Sequence, residues 1–322
     1  MEFELNCPLP LRHDTIQLAH GGGGRVMREL LESVMLPAFS NEALDARHDS
    51  ALLELGGARL AFTTDTYVVK PRFFPGGNIG ELAVYGTVND LAMGGARPQY
   101  LSVGMVLEEG YPIEELRRVV EAMREAAAAC GVSFVTGDTK VVDRGKGDGI
   151  FINTAGIGLV PPGVDIGPHR VKPGDAVLVS GDVGRHGIAV MSVREGLAFE
   201  TPIESDCAPV HRLAAALLEG GVEVHCLRDP TRGGLASVLN EIATDARVGV
   251  EAVECDIPVA EGVAGACEML GLDPFYVACE GRMVAFVPEA QAERALDLLR
   301  GVRGGEGAAR IGTVTAEDPG TV

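Results

Sequence analysis

The chain has 322 residues, enough for two domains that each bury a core, and its 46% hydrophobic and 23% charged residues, 43 glycines and no tryptophan are globular composition. Its 46 acidic residues against 27 basic ones leave a formal charge of -19. With no run of Lys or Arg, it offers no footprint for nucleic acid.

Membrane insertion is not expected, because no stretch of about 18 apolar residues occurs. The opening Met1-Glu2-Phe3-Glu4-Leu5 lacks the basic and apolar regions of a signal peptide. Seven cysteines without a C-x-x-C pair read as mostly buried free thiols, so a cytoplasmic protein is expected.

Residues 1–20 read as an extended arm, followed by Gly21-Gly22-Gly23-Gly24 and an amphipathic helix carrying Val26, Leu30, Leu31 and Val34, which Pro37 is expected to end. Residues 51–55 and 59–63 form a predicted hairpin around Gly56-Gly57, since paired glycines supply the positive φ of a two-residue turn. A helix is predicted over 79–93, a strand near 100–107, a long helix over 113–130 closed by Gly131, and strands over 132–142 and 150–159. Pro161-Pro162-Gly163 and Val171-Lys172-Pro173-Gly174 bracket a linker, where the domain boundary is placed. Beyond it, strands at 176–180, 222–226, 248–255, 282–287 and 310–314 are interspersed with helices after Arg185, near 210–218, from Thr231, and over 260–270 and 289–299. This pattern predicts α/β or α+β without fixing a strand order.

Four side-chain-free peptides before a helix, Gly21 to Gly24, can wrap backbone N–H groups around phosphate, or serve as a hinge. In Thr136-Gly137-Asp138-Thr139-Lys140, residues two apart on a strand point the same way. Asp138 and Lys140 can therefore offer a carboxylate to Mg²⁺ and an ammonium to phosphate, or simply pair with each other. Asp229-Pro230-Thr231-Arg232-Gly233-Gly234-Leu235 opens a helix with Asp229 as a plausible N-cap, and its two early glycines call for close backbone approach by a strand or a ligand. Asp65 and Asp90 lie near predicted element ends, where metal ligands or solvated caps are found. Glu280, before a strand, is a candidate proton acceptor or an ordinary loop carboxylate; His48 and Asp49 precede the hairpin.

Three stretches occur together in one order: 76–96, from Gly76-Gly77-Asn78-Ile79 to Asn89-Asp90-Leu91-Ala92-Met93-Gly94-Gly95-Ala96; 136–142, Thr136-Gly137-Asp138-Thr139-Lys140-Val141-Val142; and 229–235. With them the chain resembles, from about 18 to 315, the HypE family of hydrogenase-maturation carbamoyl dehydratases. Lys70-Pro71-Arg72-Phe73-Phe74-Pro75-Gly76-Gly77 separates that family from aminoimidazole ribonucleotide synthetase, selenophosphate synthetase and thiamine monophosphate kinase, its superfamily relatives. The resemblance implies a two-domain fold like that of aminoimidazole ribonucleotide synthetase. Residues 1–36 would form an arm with the phosphate loop, 37–162 an ATP-binding and dimerisation domain whose strands complete a barrel in a homodimer, and 171–318 a C-terminal α/β domain.

The activity implied is ATP-driven dehydration of a carbamoyl group on a C-terminal cysteine to a thiocyanate, the source of the cyanide ligand for [NiFe]-hydrogenase iron. The implied cofactors are ATP and Mg²⁺. The implied partners are the carbamoyltransferase HypF and a HypC–HypD complex. Carried over by motif, Asp65, Asp90, Asp138 and Asp229, with Asp49, would hold metal and nucleotide. Gly21, Gly22, Gly23 and Gly24 would close over phosphates, Lys140 would meet phosphate, and Glu280, with His48, would take the amide proton. The family is expected to end in Pro-Arg-Ile-Cys, whereas this sequence ends Pro319-Gly320-Thr321-Val322 with no cysteine after Cys279, so the carbamoyl acceptor is not among these residues. A small-molecule kinase or ATP-dependent synthetase of the same superfamily, and a non-catalytic nucleotide-binding scaffold, are the alternatives.

Overall fold

The computed structural model describes residues 15–22, 24–196 and 202–322. Most of the expected arm, Cys7 and Gly23 lie outside the described residues. The chain divides into two compact units, one up to Arg47 and one from His48 to Val322.

In the first unit, a short 3₁₀ turn at Leu18–Gly21 precedes α1 (Gly24–Leu30), a π stretch (Leu31–Met35) and α2 (Leu36–Phe39). Pro37 does not end this helical run, which continues to Phe39. A proline inside an α-helix collides with the carbonyl four residues back, here that of Ser33, and Ser33 sits in the π stretch, whose wider turn removes that contact. Asn41 then caps α3 (Glu42–Asp45), its Oδ1 accepting the Ala43 and Leu44 N–H groups at 3.1 Å each.

The second unit opens with β1 (Ala51–Leu55) and β2 (Ala58–Tyr67), an antiparallel hairpin closed between Leu55 and Ala58. Gly56 and Gly57, at φ 60° and 83°, occupy its turn as the sequence requires. A two-residue hairpin that the sequence did not announce, β3 (Phe73–Phe74) with β4 (Gly77–Asn78), leads into α4 (Ile79–Met93). Asn78 caps α4, its Oδ1 accepting from Gly80 N at 2.9 Å and Glu81 N at 3.0 Å. There follow β5 (Arg97–Glu108), α5 (Ile113–Cys130) ended by Gly131 at φ 70°, β6 (Ser133–Val142) and β7 (Ile150–Leu159).

These strands form a five-stranded sheet in the order β1-β2-β7-β5-β6, antiparallel except for β5 and β6, which are parallel across the α5 crossover. One core joins Ile79, Ala83 and Val88 of α4 and Val119, Met123 and Ala126 of α5 to Leu101, Ile150 and Ile152 of the sheet. Residues directly opposite each other in an antiparallel pair share a face, so Phe62, Tyr100 and Ile157 stand together on the other face, exposed, with Leu53 and Leu55.

The rest of the unit carries β8 (Asp175–Val179), α6 (Arg185–Arg194), α7 (His211–Glu219), β9 (Cys226–Arg228), α8 (Gly234–Ala246), β10 (Gly249–Ala252), α9 (Glu261–Leu270), β11 (Val284–Pro288), α10 (Ala292–Arg300) and β12 (Ala309–Thr315). Its sheet runs β10-β12-β8-β11-β9 with antiparallel pairings, so the alternation of strands and helices here builds an α+β layer. β9 lies later than the predicted 222–226. Val222 and Val224 are buried in the core beneath the sheet, so their alternation records burial and not strand pairing. Ala92 and Met93, at the end of α4, enter that same core with Ile166, which fixes the C-terminal end of α4 against the second sheet. Among the described residues no helix is long and apolar enough to cross a membrane.

Candidate functional site

Alternation along β2 turns Thr63, Asp65 and Tyr67 to one side of the sheet, while α4 presents Asp90. Asp49 arrives from the residues before β1, and Asp229 from those after β9. One carboxylate oxygen each from Asp49, Asp90 and Asp229 lie within 4.8 Å of one another. The Thr63 hydroxyl, 2.8 Å from Asp90 Oδ2 and 2.9 Å from the Asp49 carbonyl oxygen, donates to one of them at a time. Arg228 Nε is 3.0 Å from Asp49 Oδ1, and its Nη2 is 2.9 Å from Glu241 Oε2. Asp49 Oδ2 is buried without a hydrogen-bond partner.

The electrostatics follow from this crowding. Burial, then the charges of Asp229 and Asp49, push the Asp90 carboxyl well above the usual carboxylate range. Burial and the Asp49 charge push Asp229 up to about 8, and burial lifts Asp49 to about 6 against the pull of Arg228. Three close oxygen donors and one orphaned carboxylate oxygen form a set that a hard divalent cation such as Mg²⁺ satisfies.

Asp229 is not the N-cap of α8, as the sequence had suggested. The loop runs on to Gly233, and the helix begins at Gly234 with both glycines left-handed, at φ 77° and 62°. A Cβ on Gly234 would lie 2.5 Å from the Phe275 carbonyl oxygen and 2.7 Å from that of Val277. The close approach expected at these glycines is made by the 275–277 backbone, which leaves Asp229 and Arg232 on the loop in front of the helix.

Glu280, before β11, stands beside this cluster. Burial, then Asp229, Asp206 and Asp65, raise its carboxyl well above the ordinary range, and Arg232 opposes them. Asp206 Oδ2 accepts the Glu280 and Gly281 N–H groups at 3.1 Å each, and its Oδ1 accepts the His186 N–H at 3.0 Å, so one buried carboxylate holds the Glu280 segment and the start of α6. Arg232 Nη2 lies 3.7 Å from Asp65 Oδ1.

The structure thus gathers Asp49, Asp90 and Asp229, with the Asp65 charge acting on Asp90 and Asp229, and the Asp229 and Asp65 charges acting on Glu280. It does not bring Asp138 and Lys140 into the group of three. On β6 these two pair with each other at 2.6 Å, both exposed, and Lys140 with the Thr139 N–H holds the Asp138 carboxyl below its usual value. Nor does it bring His48 to Glu280. Both His48 ring nitrogens are buried without a hydrogen-bond partner, and burial, then Arg228 and His169, lowers it to about 3. Gly21, Gly22 and Gly24 belong to the first unit. Thr63, Asp206, Arg228 and Arg232 escaped the sequence reading as site residues; Arg232 lies inside the quoted 229–235 motif and Arg228 directly before it, so both could have been found, whereas nothing local marks Asp206.

Residues 47–160 match the family described as AIR synthase related protein, N-terminal domain, and residues 172–322 its C-terminal domain. The chain is 52% identical over 310 residues to carbamoyl dehydratase HypE of Azotobacter vinelandii, covering 96% of this chain and 91% of that protein. It is 47% identical over 307 residues to carbamoyl dehydratase HypE of Escherichia coli K12, covering 94% and 91%. Among solved structures, HypE in a HypE–HypF complex superimposes with a TM-score of 0.86 at 48% identity, over 89% of this chain and 93% of that one. HypE in complex with ATP gives 0.79 at 48%, over 95% and 91%. The fold extends to AaThiL complexed with AMPPCP and TMP, at a TM-score of 0.74 and 16% identity over 96% of each chain.

Proposed function

The chain belongs to the HypE family of carbamoyl dehydratases, and from that premise we propose that it binds Mg-ATP at the Asp49–Asp90–Asp229 cluster and dehydrates a protein S-carbamoyl cysteine to a thiocyanate. The observation that carries the reading is the cluster itself, three carboxylate oxygens within 4.8 Å. Bound Mg²⁺ would neutralise phosphate charge during phosphoryl transfer. The carboxylates of Asp49, Asp90 and Asp229 hold that ion, Thr63 and Arg228 orient two of them, and Asp65 lines the approach. Asp138 and Lys140 reach metal and phosphate by opening their mutual ion pair.

Glu280 takes the proton from the carbamoyl nitrogen. Its raised proton affinity suits a base, a role typically worth about 10²–10⁴-fold in rate. Asp206, by fixing the Glu280 backbone, sets where that carboxylate stands. Phosphorylation converts the carbamoyl oxygen into a leaving group, and its departure as phosphate leaves S–C≡N.

The reading includes a homodimer. Leu53, Leu55, Phe62, Tyr100 and Ile157 form an exposed apolar face on the first sheet, and patches of that kind mark interaction sites. HypF and a HypC–HypD complex are the proposed partners, in the cytoplasm.

The test joins this chain to a tail ending in an S-carbamoylated cysteine. With ATP and Mg²⁺ the tail should lose the mass of one water, in step with phosphate release. Phosphate released equally from the uncarbamoylated tail, with tail mass constant, would sink the assignment.

A further inference from the structure

The site is rich in carboxylates, and the arginines around it are not equally placed. Arg228 is tied to Glu241 at 2.9 Å and to Asp49 at 3.0 Å. Arg282 is tied to Asp182, at 2.6 Å to its carboxylate and 2.8 Å to its carbonyl oxygen. Arg232 instead meets Asp65 at 3.7 Å, beyond hydrogen-bond length, and its side chain is 58% exposed. It sits three residues after Asp229 on the same loop, whose end is fixed by the contact of Gly234 with the 275–277 backbone.

We propose that Arg232 is a catalytic residue of the dehydration, its guanidinium swinging from Asp65 to receive the γ-phosphoryl oxygens of ATP and then the departing phosphate. A planar guanidinium suits this role because it can donate two parallel hydrogen bonds to a phosphoryl group. The assignment rests on the dehydratase reading above.

The carbamoyl oxygen attacks the γ-phosphorus and the bond to the ADP oxygen breaks, leaving an O-phosphoryl carbamoyl group. That group then loses its C–O bond, the electron pair leaving on phosphate, while one N–H proton passes to Glu280 and the other to the departing phosphate, and the nitrogen electrons complete C≡N. Negative charge accumulates on the phosphoryl oxygens in both steps, and a cation free to follow them stabilises both. Arg232 also partly offsets the effect of burial and the acidic neighbours on Glu280, which places its charge close to the proposed base.

Two measurements test this. In the first, Arg232→Ala and Arg232→Lys are compared with wild type for binding of Mg-ADP and of a non-hydrolysable Mg-ATP analogue by titration calorimetry. The expected result is Mg-ADP affinity within about threefold of wild type and at least a tenfold loss, about 1.4 kcal/mol, in the preference for the triphosphate in Arg232→Ala, partly restored in Arg232→Lys. In the second, the same variants carry the carbamoylated tail; kcat for loss of water should fall about 10²-fold or more in Arg232→Ala, and KM for ATP should rise in step with the lost triphosphate affinity. Added guanidinium should restore part of that rate, which a merely structural defect would not permit. Wild-type triphosphate preference and kcat in Arg232→Ala overturn the proposal, while Glu280→Gln inactive in the same assay would leave the dehydratase reading standing. Tail mass constant in wild type, with the triphosphate preference still lost in Arg232→Ala, would remove the dehydratase reading and keep Arg232 as a phosphate ligand.

Discussion

Asp229→Asn should stabilise the metal-free protein at neutral pH and remove its stabilisation by Mg²⁺. The carboxyl of Asp229 is raised from 3.8 to about 8 by burial and by Asp49, so the folded state binds its proton more tightly than the unfolded state does. The sign follows: this group costs nothing below the unfolded value, and its cost grows as pH rises from there to the folded value. At pH 7 the single-site limit is about 4 kcal/mol. Three carboxylates share the strain and Arg228 offsets part of it, so the expected gain in Asp229→Asn is about 1–2 kcal/mol at pH 8, or roughly 2–8 °C in Tm, and about a third of that or less at pH 5. Mg²⁺ at 100 times its Kd would add about 2.7 kcal/mol to wild type and much less to the variant, reversing the order. Thermal melts of both proteins at pH 5 and pH 8, with EDTA and with excess Mg²⁺, read all four corners. A gain of equal size at both pH values, or equal Mg²⁺ stabilisation of both proteins, would refute the crowding argument.

Gly234→Ala places a Cβ on a left-handed residue against the Phe275 carbonyl oxygen; a loss of about 2–3 kcal/mol in urea unfolding is expected, against almost none for Gly265→Ala, where a Cβ meets open space within α9. Asp138→Asn and Lys140→Ala, on an exposed strand, should leave Tm within about a degree of wild type and weaken Mg-ATP use; unaltered ATP affinity and turnover in both would remove them from the site. Light scattering at micromolar concentration should find a dimer, and Phe62→Asp with Ile157→Asp, on one exposed face, should give a folded monomer. Asp206→Ala removes the acceptor for three backbone N–H groups, so dehydration of a carbamoylated tail should slow at least tenfold, with Mg-ADP affinity changed less than threefold.

What the sequence displayed was whatever is settled locally. The helices over 79–93 and 113–130 were legible because helical patterning ended by a following glycine and then a strand marks where each stops. The hairpin at Gly56-Gly57 was legible because two consecutive left-handed residues are a demand that glycine meets. β9 and the Phe73–Asn78 hairpin were not, since a buried valine alternation and a two-residue strand look the same in sequence whether or not a partner strand pairs with them. The same ambiguity touched the site. Strand alternation does put Asp138 and Lys140 on one side of β6, but in the structure they answer each other at 2.6 Å.

The acidic cluster draws on residues 49, 90 and 229, and three ties between the two sheets hold those positions in register. Met93 and Ala92 bury the end of α4 in the second sheet's core, the Asn89 amide donates to the Ala208 carbonyl oxygen at 3.1 Å, and its own oxygen accepts the Val210 N–H at 2.8 Å. Asp90 therefore reaches Asp229 only when both sheets are docked, and Asp229 carries Arg232 with it on one loop. A cation held by all three carboxylates closes the same junction from the other side, because it favours the docked arrangement by its full binding free energy. Metal affinity and the packing of α4 on the second sheet are then linked: a cavity made there, as in Met93→Ala, should weaken Mg²⁺ binding in proportion to the undocked state it populates, and excess Mg²⁺ should recover part of the stability that the cavity removes.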